Sequence, residues 1–321
     1  MSSRFAGVVA IGLALGAVDA LAQTYPTKPI RVIVPFVAGG SYDAIMRVVG
    51  ESLGEALKQQ VVVENRGGAS GMIGGEILAR ATPDGYTLGM LGDNHSVLAA
   101  TGRKTPYDLF KDFAPIMRVA SVDYVVVVHS SMPARSLREL IALLKANPGK
   151  YNYGSGGTAG TTHLAGARFS QLTGVNIVHV PYKGGGLAVT GLAGNEVQLM
   201  ILNMISARPQ VQAGMIRALA VAARKRSAYL PKVPTTAEAG LPGYEVSQFY
   251  GMFAPVKTPK RILARIENEL TRIMSSAAVK KKIEAQGADP YSETPVQLAA
   301  FLKENVTLYR ESAQAAGIRG Q

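Results

Sequence analysis

Apolar and polar positions along the chain change period again and again. A short β-branched run at residues 29–36 (PIRVIVPF) is followed, beyond two glycines, by helical spacing at Ile45, Val48, Val49, Leu53 and Leu57 over residues 43–58. A second strand-like run at 61–64 (VVVE) precedes a helical stretch at 72–81 and another strand at 86–91 (YTLGML). Residues 114–128 form one long β-prone stretch. Ser136 and Glu139 stand at capping-box spacing at the head of a helix predicted over 136–146. Shorter strands are predicted at 151–153, 176–180 and 197–202, with a helix at 162–172. The end of the chain is helical. Thr258-Pro259 and Thr294-Pro295 each place a cap before a proline. Ile262, Ile266, Leu270 and Ile273 line one predicted helix; Leu298, Phe301, Leu302 and Leu308 line the next, which Gly317 closes. Strands that alternate with helices predict an α/β fold with a parallel or mixed sheet, covered on both faces. Ligands of such sheets sit beyond the carboxyl ends of the strands, so the loops that follow strands are where chemistry is sought.

The N-terminus follows another pattern. Arg4, the apolar run 5–18 and Ala20-Leu21-Ala22 read as a secretory signal over residues 1–22, with the mature protein starting near Gln23. Cysteine is absent from all 321 residues, so neither a disulfide nor a lipidated N-terminal Cys is expected. No later segment has the apolar length of a membrane span. The mature product is expected to be soluble, periplasmic and, by default, monomeric. The net charge of +12 attracts anions. Nucleic acid is not expected as a partner: Lys and Arg are scattered, the longest cluster is 280–282, and no basic stripe interleaved with aromatics occurs.

Four strand-end loops stand out. In Pro35–Asp43 two glycines precede a helix start, which together suit an anion; a plain tight turn capped by Ser41 or Asp43 reads equally well. Asn65–Gly71 carries Arg66. Tyr153–His163 nearly matches a dinucleotide fingerprint, with Ala159 in the last glycine slot, but the next strand ends in His179 and Val180 without the acidic residue a ribose needs. Val180–Gly186 offers Tyr182, Lys183 and three glycines, without the Gly-Lys-Ser/Thr order of a phosphate loop. No Gly-x-Ser-x-Gly elbow and no Cys nucleophile exists, and the histidines at 95, 129, 163 and 179 lack metal-pair spacing. Neither an enzyme nor a bound cofactor or metal is expected.

The segments VPFVAGGSYD (34–43), ENRGGASGMIGG (64–75), TPDGYTL (82–88), YGSGGTAGTTHLAG (153–166), VHVPYKGGG (178–186), VQAGMIRALAV (211–221), PTTAEAGLPGYE (234–245) and FYGMFAPVKTP (249–259) together resemble the Bug family, the extracytoplasmic solute receptors of tripartite tricarboxylate transporters. The resemblance implies a type II periplasmic-binding-protein fold, with two α/β domains flanking a ligand cleft: residues 23–124 plus 250–321, and 125–249. It implies capture of a small organic carboxylate by domain closure and delivery to membrane permease subunits. A membrane-bound sensor is the alternative partner, and an enzyme acting on a small organic acid the remote alternative. Carried over by motif, the site comprises Phe36, Gly39, Gly40 and Asp43, then Ser155, Gly157, Thr158 and Thr161, then Tyr182 and Lys183, with Asn94 and His95 from the loop after strand 86–91. This chain departs from the family pattern at Val37-Ala38, where Pro is common, at Leu202, where Asp is frequent, and at Phe249, where Trp is found. These departures imply a more apolar far end, suited to a monocarboxylate or an aromatic acid.

Overall fold

The computed structural model describes residues 25–315 and 317–318. The signal sequence expected at 1–22 lies outside them. The strand β1 (Ile30–Val34) pairs in parallel with β2 (Val61–Asn65) and β3 (Thr87–Gly92). Between them run α1 (Ser41–Leu57) and α2 (Met72–Ala79). Val32 and Val34 are fully buried against Ile45, Val49 and Leu53 of α1, the face that the helical spacing predicts.

The long apolar stretch folds as one strand, β4 (Phe113–His129), whose two ends have different neighbours. Its first part pairs antiparallel with β9 (Ser247–Pro255) and β10 (Asp289–Glu293). Its second part, the run Val125–Val128, pairs antiparallel with β7 (Leu199–Asn203) and β8 (Ile216–Val221). β9 also pairs with β3, and β7 leads on to β5 (Asn152–Ser155) and β6 (Val178–Pro181). The sheet is therefore mixed, in the order β2-β1-β3-β9-β4-β7-β5-β6. Every residue of Val125–Val128 is enclosed because helices cover both faces, which explains an unbroken apolar run where a half-solvated strand would alternate.

The remaining helices are α3 (Asp93–Ala100), α4 (Leu137–Ala146), α5 (Thr161–Thr173), α6 (Gly185–Ala193), α7 (Met204–Gln212), α8 (Lys260–Ser275), α9 (Ala277–Gln286) and α10 (Pro295–Ala315). The Ser136 cap of α4 forms as expected, Glu139 N–H donating to Ser136 Oγ at 3.2 Å, but the Glu139 carboxylate accepts from Arg135 N–H, one residue before the cap, so the reciprocal half of the box is displaced. Ahead of α10 both halves of such a box form: Gln297 N–H donates to Thr294 Oγ1, and Thr294 N–H donates to Gln297 Oε1. The Thr258 cap does not form. α8 starts one residue later, at Lys260, with Pro259 as its N-cap and no side-chain bond. In α10, Leu298, Leu302, Val306 and Tyr309 are the buried stripe, and Leu308 falls outside it, half exposed. The stretch after β3, expected as a loop, is the first turn of α3. β8, β9, β10, α7 and α9 carry no sequence signal as strong as the elements foreseen.

Candidate functional site

The loop between β1 and α1 is built around Asp43. Gly39 adopts φ +79°, a conformation that favours glycine, and its N–H donates to Asp43 Oδ2 at 2.9 Å. Arg47 Nε donates to the same oxygen at 2.9 Å, one helical turn on. Burial alone would push the Asp43 carboxyl up; the bonds from Arg47 and Gly39 more than offset this and hold it below the usual carboxylate range. Asp43 thus stays ionised with its charge matched by Arg47, and its carboxylate shapes the loop. Gly40, the N-cap of α1, supplies no side-chain oxygen, so the first N–H groups of the helix keep their capacity for another acceptor. Phe36 packs on Tyr42 at 4.4 Å between ring centroids with the rings tilted by 30°, and Tyr42 packs edge-on against Tyr250 at 4.9 Å.

The loop between β5 and α5 is held mostly by its own bonds. Ser155 Oγ accepts from Gly157 N–H at 3.2 Å and lies 2.6 Å from His179 Nε2. Gly156 N–H donates to Thr162 Oγ1, and Ala159 N–H to His163 Nδ1. The imidazoles of His163 and His179 stack face to face, with centroids 3.7 Å apart and planes 11° from parallel. Burial, then the neighbouring His163, hold His179 down to about 4; burial also lowers His163. Both rings are neutral near pH 7 and serve as struts. Ser155 and Gly157 are thus tied into the loop's own bonds, whereas the Thr158 side chain is exposed. The N-cap of α5, Gly160, again lacks a side-chain oxygen. Asn94 substitutes from α3: its Oδ1 accepts from Thr161 N–H at 3.0 Å and from Thr161 Oγ1 at 2.8 Å.

The glycines that follow β6 leave the start of α6 open. Gly184 has φ +123°, and nothing stands within 4 Å of where a Cβ on Gly184, Gly185 or Gly186 would lie. Lys183 is exposed beside them. The Tyr182 hydroxyl runs the other way, donating to Glu196 at 2.9 Å beyond the far end of α6 and packing over Gly191.

These segments form a contiguous group. Asn65 Nδ2 donates to the Phe36 carbonyl at 3.1 Å, which ties the loop after β2 to the loop after β1. A Cβ on Gly157 would lie 3.4 Å from Ser70 Oγ, and one on Gly156 would lie 3.0 Å from the Gly185 nitrogen. Asn203 Nδ2 reaches Ser41 Oγ at 3.4 Å and joins the end of β7 to the first residue of α1. Two residues carried over by motif sit apart from the open rim. Leu202 is 2% exposed and packs in the core with Val125, so its side chain does not give the space an apolar end. His95 is fully enclosed behind the loop after β2, its ring beside Gly71; burial brings it down to about 4, so it too is neutral. Ser70 and Asn203 were not singled out from the sequence, and Ser41, read there as a possible cap, makes no cap bond: Gly40 is the N-cap of α1. The Gly-Gly-Ala-Ser-Gly run was a signal for Ser70, but no local pattern places Asn203 opposite Ser41, 162 residues away.

A cavity of about 790 Å³ lies elsewhere, between α5, α10, β10 and residues 222–229, over the β4 residues Arg118, Ser121 and Asp123. Arg118 there is sandwiched between Tyr291 and Phe301, with Glu293 at 3.6 Å. Burial, then Asp289 and Glu245, raise Asp123 to about 6. Its charges are mixed, and of the helix starts those of α5 and α7 contribute to its lining, through Thr161 and Met204. Among the described residues no group of three or more His, Cys, Asp or Glu is placed to hold a metal ion, and no helix is long and apolar enough to cross a membrane.

Residues 45–317 match the family described as "Tripartite tricarboxylate transporter family receptor". Protein BugT of Bordetella pertussis is 35% identical over 322 residues, covering 99% of this chain and 98% of its own length. Two solved structures superpose closely. An R. palustris protein with adipate is 32% identical with a TM-score of 0.89, over 92% of this chain and 100% of that one. MatC from Rhodopseudomonas palustris with bound malate is 28% identical with a TM-score of 0.83, over 90% and 99%. The periplasmic binding protein BugD is also similar, at 33% identity and a TM-score of 0.86, over 92% and 100%. The fold is thus that of the periplasmic binding proteins of this type, as expected from the sequence.

Proposed function

Because the chain belongs to the tripartite tricarboxylate transporter receptor family, we propose that it captures a small organic carboxylate among the four strand-end loops and delivers it to membrane permease subunits. The observation that carries this reading is the grouping of three helix starts, at Gly40, Gly160 and Gly184, none of which brings a side-chain cap of its own. Such ends offer N–H donors and the positive end of a helix dipole to an anion. Arg47 matches the one carboxylate in the first loop, Asp43, so a second carboxylate meets little net repulsion there. The similar proteins with adipate and malate, both dicarboxylates, favour a dicarboxylate. Leu202, enclosed in the core, no longer argues for an apolar acid.

In this reading the chain acts in the periplasm after removal of residues 1–22, as a monomer. Residues 23–124 with 250–321 form one lobe and 125–249 the other, and β4 and β9 cross between them. Closure brings the loop after β2 and the loop after β5 together over the ligand. No catalytic step is assigned.

Thermal unfolding tests this reading, with adipate, malate, benzoate and a neutral sugar as additives. A ligand that binds only the folded chain at a hundredfold excess over Kd adds about 2.7 kcal/mol. A rise in Tm with one or more of the acids, and none with the sugar, is the expected result. A response to the sugar alone, or to nothing, overturns it.

A further inference from the structure

The loop after β2 contains the most unusual backbone among the four. From Gly68 to Gly71 every residue has positive φ: +136°, +48°, +58° and +96°. Two of these, Ala69 and Ser70, carry a Cβ, which makes the left-handed region costly for each of them. A glycine at either position would adopt the same path without that cost. Surrounding contacts hold the conformation. Gly71 N–H donates to the Gly68 carbonyl, and Gly71 is pressed between Phe36 and the neutral His95 ring. The strained segment ends in a polar group: Ser70 is half-buried and its hydroxyl makes no hydrogen bond to another described residue. That hydroxyl faces loop β5–α5, lying 3.4 Å from the Cβ position of Gly157 and 4.0 Å from that of Gly160, the N-cap of α5. The hydroxyl is thus within van der Waals reach of both glycines at the head of α5.

We propose that Ser70 is a specificity-determining ligand contact: its hydroxyl donates a hydrogen bond to an oxygen of the captured carboxylate at the start of α5, and the backbone strain at Ala69-Ser70 is retained to aim it there. This rests on the carboxylate reading above and adds to it one residue, from the loop opposite α5, that grips the ligand only when the two loops meet. Strain kept for function has a signature that a packing role lacks. Removing it makes the empty protein more stable while binding becomes weaker.

The experiment compares wild type with Ser70→Gly and Ser70→Ala, measuring Tm without ligand and affinity for adipate and malate by titration calorimetry. Ser70→Gly relieves the strain and deletes the hydroxyl, so its ligand-free Tm rises while affinity falls about tenfold or more, the loss usual for one hydrogen bond to a charged group. Ser70→Ala keeps the backbone demand and deletes only the hydroxyl, so affinity falls alike without the rise in Tm. Wild-type binding matched by both variants overturns the role of Ser70 and leaves the carboxylate reading intact. A Ser70→Gly variant that loses both stability and affinity overturns it in favour of a packing role. Wild type that binds neither acid overturns the carboxylate reading, and the Ser70 assignment with it.

Discussion

Asp93 shows what a single buried carboxylate does when the site is built around it. Its neighbours Asn94 and His95 were placed by motif, but Asp93 turns back into the protein. It accepts from Phe249 N–H at 2.6 Å, Tyr309 hydroxyl at 2.8 Å and Asn305 Nδ2 at 3.1 Å, and so fastens the start of α3 to β9 and α10. Burial pushes its carboxyl up to about 6 despite those three bonds. A carboxyl raised in the folded state contributes most below its unfolded value near 4, and loses that contribution as pH climbs through 6. Relative to Asp93→Asn, which does not titrate, the stability advantage of wild type should shrink between pH 4 and pH 8 by up to about 3 kcal/mol. Denaturant melts at both pH values measure this, and an advantage that grows with pH would contradict it. Gly39, Gly40 and Asp43 were legible as loop residues because glycines ahead of a helix start are a local signal, although the bond between Gly39 and Asp43 was not. Asp93 was not, since all its donors come from more than 150 residues away.

At the scale of elements, the α5 segment depends on β6 for its loop. His179 on β6 braces Ser155, and His163 in the first turn of α5 braces Ala159, with the two rings stacked. His179 is held down to about 4, so between its unfolded value near 6.5 and pH 4 the unfolded chain takes up a proton that the folded chain refuses. Stability is therefore lost as pH falls through that window. His179→Asn should melt with a flatter pH dependence between 7 and 4 than wild type, followed by circular dichroism. His95 shifts the same way and is untouched by the substitution, whereas His163 loses its stacked neighbour, so the difference reports the His163–His179 pair. The limits of α4, α5 and α10 were readable because caps, glycines and apolar stripes are local. β9 and β10 were not, because both owe their strand form to β4, which supplies their partners from more than a hundred residues earlier in the chain.

For the whole molecule, the question is what holds the two sides of β4 in one arrangement. Asn94 is one such tie, since it caps α5 from the opposite side of the loop cluster. Asn94→Ala leaves that helix start without a side-chain partner and should cost about 0.5–2 kcal/mol. The variant should also have a larger radius of gyration in small-angle scattering than wild type, and adding a bound acid should shrink both. A wild-type radius indifferent to a ligand that demonstrably binds would argue against closure. Asn203 to Ser41 and Arg168 to Ser312 are further ties across the same line.

The sequence by itself determined the α/β class, most strand and helix limits in the first two thirds of the chain, the four glycine loops, and the absence of nucleophile, metal and nucleotide motifs. Each of these is written in periods of two or 3.6 residues or in a few adjacent side chains, where local sterics and hydrogen bonding decide the outcome. Tertiary structure alone decided which loop groups are free. It turned the side chains of Asp93 and Tyr182 away, tied Ser155 and Gly157 to each other within their loop, sealed Leu202 in the core and set Ser70 against the start of α5. Those choices come from strand pairing across long separations, where burial and the pairing of every enclosed polar group are settled only once the chain has folded.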